Sequence, residues 1–244
     1  MRAFFKVIRW LTTGAFMCGA VVLIAAYRVD PHREYEHHSR FYRALLNGCI
    51  MVFTAVHRIH IHISGEEIIP EDGRFVLISN RISKYDPLII SYKLKSCDLA
   101  FFVESDCFRV PVIGRLMRRC CFYACDQKNH QKYLQSLLAA SAQIQEREIA
   151  VGLFRETEVS KKKTIEKLAE SLVVAQTANV PVVFISLDGM EKELKLRNPS
   201  RKDVYLYVID TIPAEQIAGD DLMVLAEKIL NKIQKVDVLC EGGK

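Results

Sequence analysis

Phe75-Val76-Leu77-Ile78-Ser79-Asn80-Arg81-Ile82-Ser83-Lys84-Tyr85-Asp86-Pro87 changes character twice. Phe75 to Ile78 is a continuous apolar run, the mark of a strand buried on both faces. Ser79 to Tyr85 is a polar loop, and a helical segment, Leu88 to Leu94, follows Asp86-Pro87. In an α/β sheet, a loop that leads from a strand into a helix is where polar groups can face a ligand.

The same alternation continues on both sides of this stretch. Arg58 to Ile63 alternates, with Ile59, Ile61 and Ile63 on one face, and is expected as a strand. Leu99 to Val103, Cys121 to Cys125, Ala150 to Phe154, Pro181 to Ile185 and Val204 to Ile209 are further strands. Helical segments fall near Asn129 to Glu146, Thr164 to Ala178 and Asp221 to Ile233. Ser64-Gly65 and Pro70-Glu71-Asp72-Gly73 carry turn chemistry. Strands alternating with helices predict a single α/β domain with a mixed, largely parallel sheet flanked by helices. No repeat and no linker rich in Pro, Gly or Ser divides residues 57–244, which are expected as one domain behind an N-terminal part, residues 1–56.

Composition agrees with a folded chain. Of 244 residues, 50% are hydrophobic and 26% are charged, which excludes disorder as the main state. The net charge of +5 falls short of the basic footprint of a nucleic-acid binder, so no nucleic-acid partner is expected; an anionic membrane surface would suit it. The eight cysteines are irregularly spaced in a long chain, and reduced thiols in a cytosolic compartment fit them better than a disulfide framework. Cys121-x3-Cys125 followed by His130 matches no common zinc spacing, and His60 and His62 on one strand lack a third ligand nearby. No metal is expected.

Trp10 to Tyr27 runs without a charge for 18 residues, the lower limit for crossing a bilayer. Arg2, Lys6 and Arg9 precede it, and Arg28, Asp30, Arg33 and Glu34 follow. A spanning anchor and a helix dipping into one leaflet both fit. A cleaved signal peptide would have a shorter apolar region, and a buried soluble helix is the plainest alternative. A second apolar stretch, Ala44 to Val56, is flanked by Arg40, Arg43 and Arg58 and is too short to span comfortably. Phe41, Leu45, Phe53 and Val56 fall within one helical stripe, as in an interfacial helix. The preferred expectation is an N-terminal helical hairpin that enters and leaves one leaflet, with the α/β domain on the cytoplasmic side of the membrane.

The loop that opened this reading resembles the first motif of the glycerolipid acyltransferases, the family of 1-acyl-sn-glycerol-3-phosphate acyltransferases. That motif reads Asn-His, four residues, then Asp, usually followed by Pro. Asn80, Asp86 and Pro87 stand in place, and Ser83 suits the pattern. Gly65-Glu66-Glu67-Ile68-Ile69-Pro70 resembles the family's turn ahead of the motif strand. Phe108-Arg109-Val110-Pro111-Val112-Ile113-Gly114 resembles its Pro-x-x-Gly segment. Cys121 to Gln127 lies where the second motif strand ends in Asp-Arg. Phe154-Arg155-Glu156-Thr157-Glu158-Val159-Ser160 takes the place of Phe-Pro-Glu-Gly-Thr-Arg-Ser, and Val180 to Val183 with Asp188-Gly189 resembles the fourth motif.

The resemblance implies acyl transfer in phospholipid biosynthesis. An acyl thioester, acyl-CoA or acyl-carrier-protein, would be the donor, lysophosphatidate or a similar membrane lipid the acceptor, and no bound cofactor would be needed. It implies a catalytic pair at positions 81 and 86: the motif His takes the proton of the acceptor hydroxyl and the Asp holds the imidazole in the right tautomer. Arg81 occupies the His position. A guanidinium has no acceptor lone pair and stays protonated, so it cannot be that base. A positioned base contributes roughly 10²- to 10⁴-fold in rate.

The substrate-binding positions implied by the resemblance are Asn80, Ser83, Glu104, Gly114, Gln127, Phe154, Arg155, Glu156, Thr157 and Val159. Several depart from the family. Glu104 stands for a Lys, Gln127 and Val159 for Arg, and Thr157 for Gly. A phosphate needs cationic, preferably forked donors, and Glu104 would repel it. For Arg81 an ion pair with Asp86, a rebuilt anion site together with Arg155, or neither role stays open. Arg115, Arg118 and Arg119, with Lys93 and Lys95, suit either lipid head groups or water. The sequence therefore supports a membrane-bound acyltransferase-family protein. The alternative is an inactive member that binds lipid or a partner enzyme.

Overall fold

The computed structural model describes residues 17–31, 33, 35, 37, 39–71, 73–80, 83, 85–125, 129–147, 149–155, 160–189 and 201–241, with the backbone alone at 147, 155 and 234–241. Its strands are β1 (Ile59–Ser64), β2 (Val76–Asn80), β3 (Leu99–Val103), β4 (Tyr123–Ala124), β5 (Ala150–Arg155), β6 (Val182–Asp188) and β7 (Lys202–Ile212). Its helices are α1 (17–27), α2 (Arg40–Val56), α3 (Asp86–Lys93), α4 (Ile113–Arg119), α5 (His130–Arg147), α6 (Lys161–Ala178), α7 (Ala214–Gly219) and α8 (Leu222–Glu241).

The strands form one sheet in the order β1-β7-β6-β2-β5-β3-β4. Every neighbouring pair is parallel except β6 and β7. The expected mixed, largely parallel sheet is thus observed. β3 is apolar throughout, and β2 and β5 are apolar up to Ile78 and Phe154, because helices cover both their faces. β1 alternates because only Ile59, Ile61 and Ile63 point at the core.

Two apolar layers sandwich the sheet. On one face Leu46 and Ile50 of α2, Ile89 and Ile90 of α3 and Leu116 of α4 pack on Leu77, Phe101 and Ile185. On the other face Leu137 and Ile144 of α5, Leu168 and Leu172 of α6 and Leu225 and Ile229 of α8 pack on Ile78, Val151 and Phe184. Such burial stabilises by roughly 1.5–3 kcal/mol per large apolar side chain.

The N-terminal part differs from expectation in a physical detail. No described helix is long and apolar enough to cross a membrane. Residues 10–16 of the apolar run lie outside the described residues, and the expected membrane hairpin has no support from helix length. Arg43, expected as a flank of α2, is buried inside it, because the inner face of the helix is Arg43, Leu46, Ile50 and Thr54. Its guanidinium donates to Leu99 O at 2.8 Å, Ser91 Oγ at 3.2 Å and Cys120 O at 3.3 Å, and lies over the Phe122 ring. No described carboxylate pairs with it. One side chain therefore ties α2 to α3, to β3 and to the end of α4.

Candidate active site

The topology marks a place before any residue is considered. β2 and β5 are adjacent and parallel, with Asn80 beside Arg155 at their C-terminal ends. The helix after β2 packs on one face of the sheet and the helix after β5 on the other. Where successive crossovers leave on opposite faces, a crevice opens at the strand ends, and α/β proteins place their ligands there.

Asn80 closes one side of that crevice. Its amide nitrogen donates to Leu187 O at 3.0 Å, and Leu187 N–H donates to Asn80 Oδ1 at 2.7 Å. The side chain thus copies a peptide unit and carries the β2–β6 pairing one step past its last backbone register, Ser79 with Ile185. Gly189 follows directly after β6. A Cβ there would lie 2.3 Å from Asp203 O, so only glycine fits this turn, whose φ is +86°.

The loop beyond Asn80 is built by Ser83 and Asp86. Ser83 N–H donates to Asp86 Oδ2 at 2.7 Å, and Tyr85 N–H donates to Ser83 Oγ at 3.3 Å. Together with the bond from Asp86 N–H to Ser83 O at 3.3 Å, they close a tight turn immediately before α3. Asp86 is 0% exposed. The motif carboxylate thus has a structural task of its own: it fixes the backbone that leads into α3.

Beside this turn lies an apolar cavity of about 160 Å³ between α2, α3 and α4. Cys49, Ile50 and Phe53 form one wall, Tyr85 and Leu88 another, with Val110, Ile113 and Met117 opposite. A cavity of ~150 Å³ lined by such side chains stays dry and accepts benzene, so this one can take a short length of hydrocarbon. Its α4 wall depends on Gly114, where a Cβ would lie 2.0 Å from Phe108 O. Before Gly114 the backbone makes a tight turn at Val112, φ +66°, with Ile113 N–H donating to Pro111 O at 2.7 Å. A β-branched residue at positive φ is strained, and such strain persists only where surrounding packing holds it.

The remaining sequence-derived positions fall as follows. Phe154 is buried on β5 and stacks on Phe101, with ring centroids 5.1 Å apart, so its described contacts are core packing. Glu104 follows β3 directly. Arg155 ends β5, described by its backbone alone. Arg81, Gln127, Glu156, Thr157 and Val159 lie outside the described residues. The described residues thus bring Asn80, Ser83 and Asp86 together at the crevice, with Gly114 behind the cavity. His130 stands on the far helical layer, 3.8 Å from Glu170. Among the described residues no group of three or more metal-ligating side chains is assembled. His62 lies 2.9 Å from Asp203 instead.

Arg115 and Arg119 have definite partners that the sequence did not reveal. Arg115 donates to Val29 O at 3.0 Å and Arg119 to His37 O at 2.6 Å. Their guanidinium groups lie over Tyr27 and Tyr35, and that of Arg118 over Phe108. Together with Tyr123, whose hydroxyl donates to Tyr35 O at 3.0 Å, they hold the connector from α1 to α2 against α4.

A family model described as Acyltransferase matches residues 60–188, more than half of the chain. The chain belongs to the acyltransferase family. No curated protein matches it by sequence. Among solved structures it resembles one described as the 1-acyl-sn-glycerophosphate (LPA) acyltransferase PlsC from Thermotoga maritima, at 16% identity and a TM-score of 0.60, over 97% of this chain and 98% of that one. That likeness is one of fold. The family match spans the crevice from β1 to the end of β6, so Asn80, Ser83 and Asp86 all lie within it.

Proposed function

We propose that this chain is a peripheral membrane protein of phospholipid metabolism that holds an acyl lipid at the β2–β5 crevice, with the family's proton-abstracting step disabled. The carrying observation is the combination at one loop. Asp86 and Ser83 keep the turn that leads into α3, and the sequence places arginine at position 81. In the family reaction the acceptor hydroxyl oxygen forms a bond to the thioester carbonyl carbon, the C–S bond breaks, and the hydroxyl proton leaves to a base. Arg81 can stabilise negative charge near the carbonyl, but it cannot accept that proton.

The cavity beside Tyr85 suits the acyl chain, at roughly 0.8 kcal/mol per buried methylene. The donor class is an acyl thioester, acyl-CoA or acyl-carrier-protein, and the acceptor class a lysophosphatidate-like lipid. Met17, Val21, Ile24 and Tyr27 on α1 and Phe41, Met51, Val52 and Val56 on α2 are exposed apolar side chains on one layer. Arg28 and Arg40 flank them. That pattern supports docking of this layer in one leaflet from the cytoplasmic side. A second reading, acyl transfer through another base, is favoured by the intact Asn80–Ser83–Asp86 frame.

The acyl site is tested with a fluorescent long-chain fatty acid. Cys49→Phe fills the cavity from a partly exposed position and should weaken binding about tenfold or more without lowering the unfolding temperature, since one lost contact of ~1.4 kcal/mol is tenfold. Equal binding by the variant and the wild type would place the acyl chain elsewhere.

A further inference from the structure

α5 is unusual among the helices on its face of the sheet. From Tyr133 to Gln145 it carries no charged residue, although it lies on the surface. Leu138 is 63% exposed, and Leu134 and, on α6, Val173 are also exposed. Between the two helices runs an apolar groove of about 220 Å³, with Leu134, Leu138 and Val173 along its rim. Glu170 lines its His130 end, and its Oε2 is buried without a hydrogen-bond partner among the described residues. Loss of charge with retention of large apolar groups is the composition of an interface centre, not of a solvated helix face.

We propose that a second copy of this chain covers the groove, its α5 packed antiparallel on this α5 about a two-fold axis at Leu138. The helix carries its own complement. Positions equally distant from 138 meet across such an axis. Leu134 then faces Ala142 of the second copy, large against small. Gln131 faces Gln145, amide against amide, and His130 faces Glu146. Leu138 meets its own equivalent and seats in the groove beside Val173. No like charges are opposed along the seam. α5 and α6 lie across the sheet from α1 and α2, so the pairing leaves the lipid-facing layer of both copies uncovered. It stands or falls independently of the acyl site.

The test is sedimentation equilibrium of the full chain in density-matched detergent micelles, where the micelle occupies the α1–α2 layer. The wild type should be a dimer. Leu138→Glu should raise the dissociation constant at least about tenfold, as expected for a central apolar contact, with an unaltered unfolding temperature at dilutions where both proteins are monomeric, because the site is exposed in the monomer. Leu138→Cys should form a 138–138 disulfide between copies under mild oxidation, a link that the wild type lacks. A wild type that stays monomeric at the highest soluble concentration overturns the proposal. So does a dimer indifferent to Leu138→Glu, and so does the absence of the 138–138 link in a dimer.

Discussion

Replacing Arg43 by methionine probes how α2 is held to the domain and hence how the cavity keeps its α2 wall. Methionine preserves the length and the apolar stem but removes every donor. Leu99 O loses a bond of 2.8 Å, and Cys120 O and Ser91 Oγ lose bonds of 3.3 and 3.2 Å. Hydrogen bonds from a charged donor contribute about 1.5–3 kcal/mol each. Counting the short bond in full and the longer two at about half gives roughly 4 kcal/mol. Against this, an uncharged side chain no longer needs to be desolvated, which returns about 1–2 kcal/mol when an apolar group takes the place of a buried charge. The net loss is about 2–3 kcal/mol. At ~2–4 °C per kcal/mol for a domain of this size, the unfolding temperature should fall by roughly 5–10 °C. Arg43→Lys, which keeps one donor direction, should fall in between. The assay is thermal unfolding followed by circular dichroism in detergent. A fall of less than about 2 °C for Arg43→Met would refute the reasoning, because it would mean that the buried carbonyls lose nothing when the guanidinium is removed.

Three further outcomes follow from single sites. Asn80→Ala removes both bonds to Leu187 and should cost about 1–3 kcal/mol, read as a lower urea midpoint with an unchanged slope; an unchanged midpoint would mean that the β2–β6 junction does not depend on the amide. Burial pushes the Cys120 thiol up to about 12, whereas Cys18 is exposed; at pH 8 a maleimide should label Cys18 in the native chain and reach Cys120 only after unfolding, and rapid native labelling of Cys120 would contradict the packing of α2 on α4. Hydrogen bonds from Arg201 and then His62 hold the Asp203 carboxyl at about 2, below its ordinary 3.8. Its stabilising contribution is therefore complete above pH 3.8 and is lost as pH falls through 2. The effect is modest and weakened by salt because the group is exposed. Asp203→Asn should flatten the fall in unfolding temperature over that window, and parallel curves for the two proteins would exclude the contribution.

Much of the fold was legible because strands buried on both faces leave unbroken apolar runs. Leu99 to Val103 and Ala150 to Phe154 lie almost residue for residue on β3 and β5, and Phe75 to Ile78 covers the start of β2, which continues through Ser79 and Asn80. The reversal at β7 was not legible, because the spacing between Asp188 and Lys202 allows a parallel crossover as well as an antiparallel return. Cys121 to Cys125 gave a weaker result. Only Tyr123 and Ala124 pair with β3, while the flanking cysteines pack as core residues. α4 escaped notice because seven residues with three arginines show no apolar period. Those arginines stack on aromatic rings that are distant in sequence, a contact no local pattern encodes. Arg43 was misplaced for the same reason: a single charge in an apolar helix looks like a boundary unless the carbonyls waiting for it are known. At the candidate site the motif spacing located Asn80, Ser83 and Asp86. The hydrogen bonds by which Ser83 and Asp86 build the turn were not read from the sequence. The cavity was not, since its walls come from three helices.

The most direct test of the central claim is acyl transfer by the purified full chain in mixed micelles, with lysophosphatidate and an acyl thioester, read as thiol released with and without acceptor. The account predicts background release by the wild type, turnover on introduction of Arg81→His, and loss of that turnover when Asp86→Ala is added. Wild-type turnover that exceeds background and persists in Arg81→Ala would contradict it, because the proton would then have an acceptor that the reading of position 81 does not include.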